Sequence, residues 1–289
     1  MRVGVVILPQ QRWADARRRW RHAEALGFDH AWTYDHLAWR SLADEPWFAT
    51  VPTLAAAALV TDRIRLGTFV TSPNFRHPVP LAKEAMSLDD LSEGRLLLGV
   101  GAGGDGVDAD VLGQERLSPR QKIDRLAEFL DVLDRSLTAP VTSYAGEYFT
   151  AREARTYPGC VQQPRVPFVV ATNGARGMRL AATYGQGWLT TGPATDDEEA
   201  WWDGVARRAQ EMTALAPSGI DRYLSLDGPA YSLSSVTRAE DMIGRAAELG
   251  FTDVVVHWPR ESGVYAGDEA VLEELGARLP QLRRDPERR

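Results

Sequence analysis

The sequence predicts an α/β chain folded as a (β/α)8 TIM barrel, with a small hairpin inserted between the fourth helix and the fifth strand. Three observations predict it. Runs of apolar and β-branched residues alternate with helix-like periodic segments from one end to the other, and eight such pairs can be counted. An open doubly wound sheet is typically built from six or so strands, so the count favours a closed barrel. The 289 residues suit one large barrel, a fold that commonly runs to about 250 residues.

The elements follow in order. The first strand fits at 3–8, and the helix at 14–26 sets Trp13, Ala16, Trp20 and Ala23 on one face, with Arg17, Arg18, Arg19 and Arg21 as a solvated stripe. The second strand, 30–34, precedes a helix at 52–60; the third, 64–70, a helix at 81–91; the fourth, 96–101, a helix at 120–137. The connection over 138–167 is too long for a bare loop, and the turn Ala145-Gly146 inside it predicts the hairpin. The fifth to eighth strands, at 168–171, 187–190, 223–226 and 253–257, precede helices at 176–184, 197–213, 238–249 and 268–278. Gly27 and Gly250 stand where two helices stop just before a strand, positions suited to the left-handed conformation that closes a helix. Residues 1–289 read as a single domain, with 281–289 a flexible, arginine-rich tail.

Composition narrows the function. Hydrophobic residues at 44% and charged ones at 25% describe a soluble globular chain, and a net charge of -7 argues against a nucleic-acid partner. No window approaches the roughly 18 apolar residues of a membrane span, and the opening MRVGVVILPQ lacks the features of a signal peptide. One cysteine, Cys160, allows no internal disulfide and fits a cytoplasmic location. No metal is expected, because no HExxH or closely spaced ligand set occurs, and no G-x-S-x-G elbow supports a serine nucleophile.

Reactive groups in such a barrel come from the C-terminal ends of the strands. Asp35 and His36 stand there after the second strand, His36 as the proton-handling group and Asp35 as the charge that orients it. Thr71, Ser72 and Asn74 follow the third strand, Thr172 and Asn173 the fifth, Thr190 and Thr191 the sixth, Asp227 the seventh, and His257 ends the eighth. Gly99-x-Gly101-x-x-Gly104 formally matches a dinucleotide fingerprint, but Asp105, Asp108 and Asp110 would repel phosphates and no helix opens directly after it. Gly101, Ala102 and Gly103 are better read as a thin wall that lets a flat ligand approach the backbone. Asn173, Gly174, Ala175, Arg176 and Gly177 lead straight into a helix, where free N–H groups, the helix dipole and a guanidinium could converge on a phosphate; an ordinary connection capped by Asn173 is the bland alternative. Trp39, Trp47, Phe48, Phe75 and Trp258 lie on or near mouth loops and could line an apolar substrate chamber or simply pack.

Taken together, "YDHLAW", "RIRLGTFVTSPNFRHPVPLAKEAMSLDDLSEGRLLLGVGAGG" and "ATNGARGMRLAATYGQGWLTTG" resemble the luciferase-like monooxygenase superfamily of flavin- and deazaflavin-dependent oxidoreductases. The likeness runs over about residues 3–260. It implies a flavin-type tricycle across the barrel mouth, with its phosphate at Gly174, Ala175, Arg176 and Gly177 and a strand bulge at Phe69-Val70, often carrying a non-prolyl cis peptide, behind the ring. His36 matches the histidine that deazaflavin-dependent members place beside the hydride-bearing carbon. Sugar-phosphate dehydrogenases of the group keep a glutamate after the fourth strand, where this chain has Gly104 and then Asp105, which points away from a sugar-phosphate substrate.

The expected reaction is hydride transfer between coenzyme F-420 (8-hydroxy-5-deazaflavin) and a small organic molecule. His36, Asp35 and Asp105 are the expected catalytic groups, and Trp39, Phe75 and His257 the expected substrate pocket. The alternatives are an FMN-dependent monooxygenase and a noncatalytic flavin- or ligand-binding relative. The resemblance further implies a homodimer.

Overall fold

The computed structural model describes residues 1–104, 106–216 and 219–283. In chain order the elements are β1 (Arg2–Val6), α1 (Trp13–Ala25), β2 (His30–Thr33), α2 (Thr50–Ala58), β3 (Arg65–Thr68), α3 (Pro78–Leu91), β4 (Leu96–Gly101), α4 (Val107–Val111), α5 (Pro119–Thr138), β5 (Thr142–Ala145), β6 (Thr150–Ala154), β7 (Phe168–Ala171), α6 (Ala175–Tyr184), β8 (Gly187–Thr190), α7 (Glu198–Leu215), β9 (Asp221–Ser225), α8 (Val236–Glu248), β10 (Asp253–His257) and α9 (Glu269–Leu282). Eight of the strands close into a barrel in the order β1-β10-β9-β8-β7-β4-β3-β2, and β1 returns to β2. Every barrel pairing is parallel, as a helical crossover after each strand requires. This is a (β/α)8 TIM barrel.

Alternation along the strands builds two apolar layers. Val3 and Val5 of β1, Leu96, Leu98 and Val100 of β4, and Val254 and Val256 of β10 face outward into the shell of helices. Val6, Trp32, Leu97, Val169, Leu189, Tyr223 and Val255 fill the interior. The same alternation places Asp253 and His257 on the inner face at opposite ends of β10. Asp253 sits at the lower end, where it accepts from the Arg2 guanidinium at 2.7 and 2.6 Å and lies 3.0 Å from His30 Nε2. His257 sits at the mouth.

The predicted hairpin is present as β5 and β6, and Glu128 of α5 holds its turn by accepting the backbone N–H groups of Glu147, Tyr148 and Phe149 at 2.9, 3.0 and 3.3 Å. Gly27 and Gly250 take φ of +87° and +79°, as helix closure at those points demands. Two differences from expectation concern the ends of elements. The stretch after β4 that reads as a bare loop contains α4. The predicted tail begins inside α9, and Arg283 donates to Asp29 Oδ2 at 2.8 Å. Residues 284–289 lie outside the described residues.

Candidate active site

The C-terminal ends of the barrel strands open into a cavity of about 860 Å³. Tyr34, His36, Trp39 and Arg40 line it from the segment after β2, Phe69, Val70, Ser72 and Asn74 from that after β3, and Gly101 to Gly104 with Asp108 from that after β4. Thr172 and Asn173 follow β7, while Asp227, His257 and Tyr265 close the far side.

The wall after β3 and β4 is shaped by backbone. The Phe69-Val70 peptide is cis; β3 ends at Thr68, and Thr71 pairs again with β4 in an isolated parallel bridge to Val100. A Cβ on Gly99 would lie 2.0 Å from the Thr68 carbonyl oxygen, and one on Gly101 would lie 2.8 Å from Val70 Cγ2. The glycine pattern that formally resembles a dinucleotide fingerprint therefore serves close packing between two strands. It leaves Gly101, Ala102 and Gly103 as a thin wall of the cavity, together with Phe69 and Val70. Thr71 is fully buried and does not line the cavity; Ser72 beside it does.

His36 faces the cavity with its side chain 20% exposed. Its partner is Asp108, not the adjacent Asp35. Asp108, buried at the start of α4, has Oδ2 2.8 Å from His36 Nδ1 and accepts the Leu37 N–H on Oδ1 at 2.7 Å. A carboxylate accepting on both oxygens selects the tautomer with hydrogen on Nδ1, which leaves Nε2 to take or release a proton. Trp47 Nε1–H donates to the His36 carbonyl at 2.8 Å and fixes the backbone.

Asp35 is corrected accordingly. Its side chain is buried away from the cavity and forms a two-pronged pair with Arg76, whose Nε and Nη2 donate to its two oxygens at 3.0 and 2.7 Å. Arg76 also reaches Glu84 at 3.2 Å and lies over the Phe75 ring. Asp35 therefore serves Arg76, and the orienting charge that the sequence assigns to it comes from Asp108 instead.

Other expectations are redistributed in the same way. Trp39 and His257 line the cavity, but Phe75 lines a separate shallow depression beside Arg125 and Tyr148. Trp258 is buried behind the barrel, donating to Glu269 at 2.9 Å. Asp105 lies outside the described residues.

After β7, Asn173 lines the cavity, with its Oδ1 accepting from Thr190 at 2.6 Å; Gly174, Ala175, Arg176 and Gly177 do not line it. Arg176 is turned outward to Asp124 at 2.6 Å, and Gly177 packs tightly on Thr172. Gly174 rather than Asn173 occupies the cap of α6, with no side-chain cap bond. The N–H groups of Ala175, Arg176 and Gly177 have no acceptor among the described residues.

The far side carries polar residues that sequence reading left unconnected. Asp227, His257, Tyr34 and Tyr265 are linked by hydrogen bonds. Tyr34 sat in plain view beside Asp35, and Asp227 stood at a strand end, but nothing in the local pattern of Tyr265 or Asp108 marks either as a site residue. Among the described residues, no group of three or more His, Cys, Asp and Glu is placed to hold a metal ion, and no helix is long and apolar enough to cross a membrane.

Comparison with known proteins finds relatives along most of the chain. A family profile described as luciferase-like monooxygenase matches residues 1–226. An uncharacterized protein of Mycobacterium tuberculosis is 29% identical over 297 residues, spanning 96% of this chain and 99% of its own length. The F-420-dependent hydroxymycolic acid dehydrogenase of the same organism is 32% identical over 301 residues, spanning 95% of this chain and 81% of its own. Among solved structures, the coenzyme F-420-dependent tetrahydromethanopterin reductase of Methanopyrus kandleri shares the fold with a TM-score of 0.75 at 20% identity, over 97% of this chain and 99% of that one.

Proposed function

The chain belongs to the luciferase-like monooxygenase family of flavin- and deazaflavin-dependent oxidoreductases, and from that premise we propose that it transfers a hydride between coenzyme F-420 and a small organic substrate held in the barrel mouth. The observation that carries the reading is the His36–Asp108 pair on the wall of a cavity with a thin glycine side. Hydride transfer needs two carbons held face to face and proton movements managed around them, and this wall offers an imidazole held in one tautomer for part of that work. The name of the hydroxymycolic acid dehydrogenase relative supports the same choice of coenzyme.

The residues fit a flat cofactor. Added carbon at Gly101 would collide with Val70, so this part of the wall cannot carry a side chain into the space a ring system needs. Phe69, Val70, Gly101, Ala102 and Gly103 would hold the ring. Asn173 and the uncapped start of α6, from Gly174 to Gly177, would receive the phosphate through backbone N–H groups. When bound, the deazaflavin supplies a carbon that gives or takes hydride, and it largely confines the reaction to that two-electron route. His36 holds or releases a proton at Nε2, Asp108 keeps the ring in the required tautomer, and Trp39 with Phe69 excludes water from one side.

The test is titration of the purified protein with F-420 and with FMN, followed optically under air. Preferential binding of F-420, with reduced coenzyme stable until an acceptor is added, is the expected result. Preferential FMN binding with oxygen uptake would assign a monooxygenase instead, and tight binding without turnover across a broad acceptor panel would assign a noncatalytic relative. The proposed homodimer and cytoplasmic location are checked by sedimentation and cell fractionation.

A further inference from the structure

His257 is 1% exposed, yet its ring stands in the middle of a continuous hydrogen-bonded chain. Nδ1 lies 2.7 Å from Asp227 Oδ2, Nε2 lies 2.8 Å from the Tyr34 hydroxyl, and that hydroxyl lies 3.1 Å from the hydroxyl of Tyr265. Asp227 is fixed as an acceptor, because its oxygens also take the backbone N–H groups of His257 at 2.8 Å and Ser232 at 2.7 Å. The Tyr265 ring stacks on His257 with centroids 3.8 Å apart and planes at 10°, which sets the outer hydroxyl against the inner one. All four residues line the cavity.

We propose that Asp227, His257, Tyr34 and Tyr265 form a proton wire that exchanges one proton between the buried imidazole and a heteroatom of the bound substrate, through the hydroxyl of Tyr265. The proposal rests on the hydride-transfer reading and narrows its substrates to a carbonyl and its alcohol, or an imine and its amine. In the reducing direction, hydride supplied by the coenzyme, when bound, would form the new C–H bond while the π pair moved onto the heteroatom. The heteroatom takes the Tyr265 proton, Tyr265 takes that of Tyr34, and Tyr34 takes the Nε2 proton of the His257 imidazolium. His257 ends neutral against an ionised Asp227, and oxidation runs the same hops backwards.

Both phenols are neutral before and after each passage, and their surroundings agree: burial pushes the Tyr265 hydroxyl up to about 12 and holds Tyr34 well above its ordinary value. The groups facing the wire are Asp227 after β9, Tyr34 after β2 and Tyr265 after β10, with Tyr231 donating to the His257 carbonyl at 2.8 Å and the Arg40 charge acting against the rise of both phenols. Asp227 and His257 are positioning residues; Tyr265 is the group that meets substrate.

The wire is tested on the purified protein, without added coenzyme, by following exchange of the His257 ring N–H with water in histidine labelled with nitrogen-15. Tyr34→Phe and Tyr265→Phe are each expected to slow that exchange by about tenfold or more, whereas loss of a merely structural hydrogen bond would leave it unchanged or speed it by easing local opening; faster exchange would count against the wire. Unchanged exchange in both variants overturns the wire. Should Tyr34→Phe fail to fold, Tyr265→Phe at the partly exposed end decides alone. Asp227→Asn is expected to release His257 from its fixed tautomer, read as a changed pattern of ring nitrogen-15 shifts; an unchanged pattern would show that the carboxylate does not set the ring. Failure of the hydride-transfer reading shows separately, as absence of F-420 binding in optical titration.

Discussion

Asp108 Oδ2 stands 2.8 Å from His36 Nδ1 across a separation of 72 residues, and the same carboxylate ties down the Leu37 backbone. The loop after β4 thereby folds over the loop after β2. The imidazole is held from outside its own segment.

That grip yields the first prediction. Asp108→Asn keeps the acceptor for Leu37 but presents an amide to Nδ1, favouring the wrong tautomer. We expect kcat to fall by about 100-fold with little change in coenzyme affinity, as loss of a positioned acid–base group does. Stopped-flow oxidation of reduced F-420 at several pH values checks it, and full activity would remove His36 from the chemistry.

Asp35 should behave differently. Its removal leaves the Arg76 guanidinium, whose side chain is 18% exposed, with Glu84 at 3.2 Å and the charge of Asp108 as its remaining acidic company among the described residues. Asp35→Ala is expected to cost about 3 kcal/mol in urea unfolding, the scale for breaking a buried ion pair. The folded fraction should keep its hydride-transfer rate; a lost rate at unchanged stability would return Asp35 to a catalytic role.

Three alanine substitutions separate packing from binding on the thin wall. Gly99→Ala drives a Cβ to 2.0 Å from a backbone oxygen, which cannot move aside, and should destabilise by about 3 kcal/mol. Gly101→Ala meets Val70 at 2.8 Å and should weaken coenzyme binding. Gly104→Ala meets nothing within 4 Å and should be close to neutral. Thermal unfolding paired with coenzyme titration distinguishes the three.

The barrel was legible in the sequence because each strand and helix declares itself locally, by a period of two or about 3.6 residues, and because the strand ends then share one rim. His36, Trp39, Asn173 and His257 follow from that rule. Pairings do not. Asp35 stands beside His36 in the chain yet serves Arg76, and Tyr34 meets His257 across a separation of 223 residues. Loops after strands carry no periodicity to say where they fold back, so Asp108 read as an obstacle to phosphate rather than as a partner, and Arg176 read as a phosphate ligand although it pairs outward.

Arg176 therefore supplies a fourth prediction. Its side chain is 50% exposed and bonded to Asp124, an arrangement worth about 0–1 kcal/mol at a surface. Arg176→Ala should alter the F-420 dissociation constant by less than about fivefold. A larger loss in isothermal titration would mean that the guanidinium turns inward on binding.

Alkaline stability provides a fifth. Burial raises Tyr34, Tyr223, Tyr231 and Tyr265 above the unfolded value near 10, Tyr265 to about 12. A raised phenol favours folding fully below the unfolded value and loses that contribution as pH climbs through the folded one. Urea midpoints should hold to about pH 9.5 and fall steadily toward pH 12; midpoints that stay level across that range would contradict the burial of these four phenols.

Closure of the barrel by β1 against β10 has a consequence for biosynthesis. Arg2 clasps Asp253, 251 positions downstream, and the cavity draws on Tyr34 early and Tyr265 late. A growing polypeptide leaving the ribosome can assemble helices and neighbouring strands as they emerge, yet its first ribbon waits with one naked edge until the final one arrives. A complete cavity, and with it any capture of the proposed coenzyme, thus waits for the last strand to leave the ribosome, and the unfinished edge is the stage at which chaperones have something to shield.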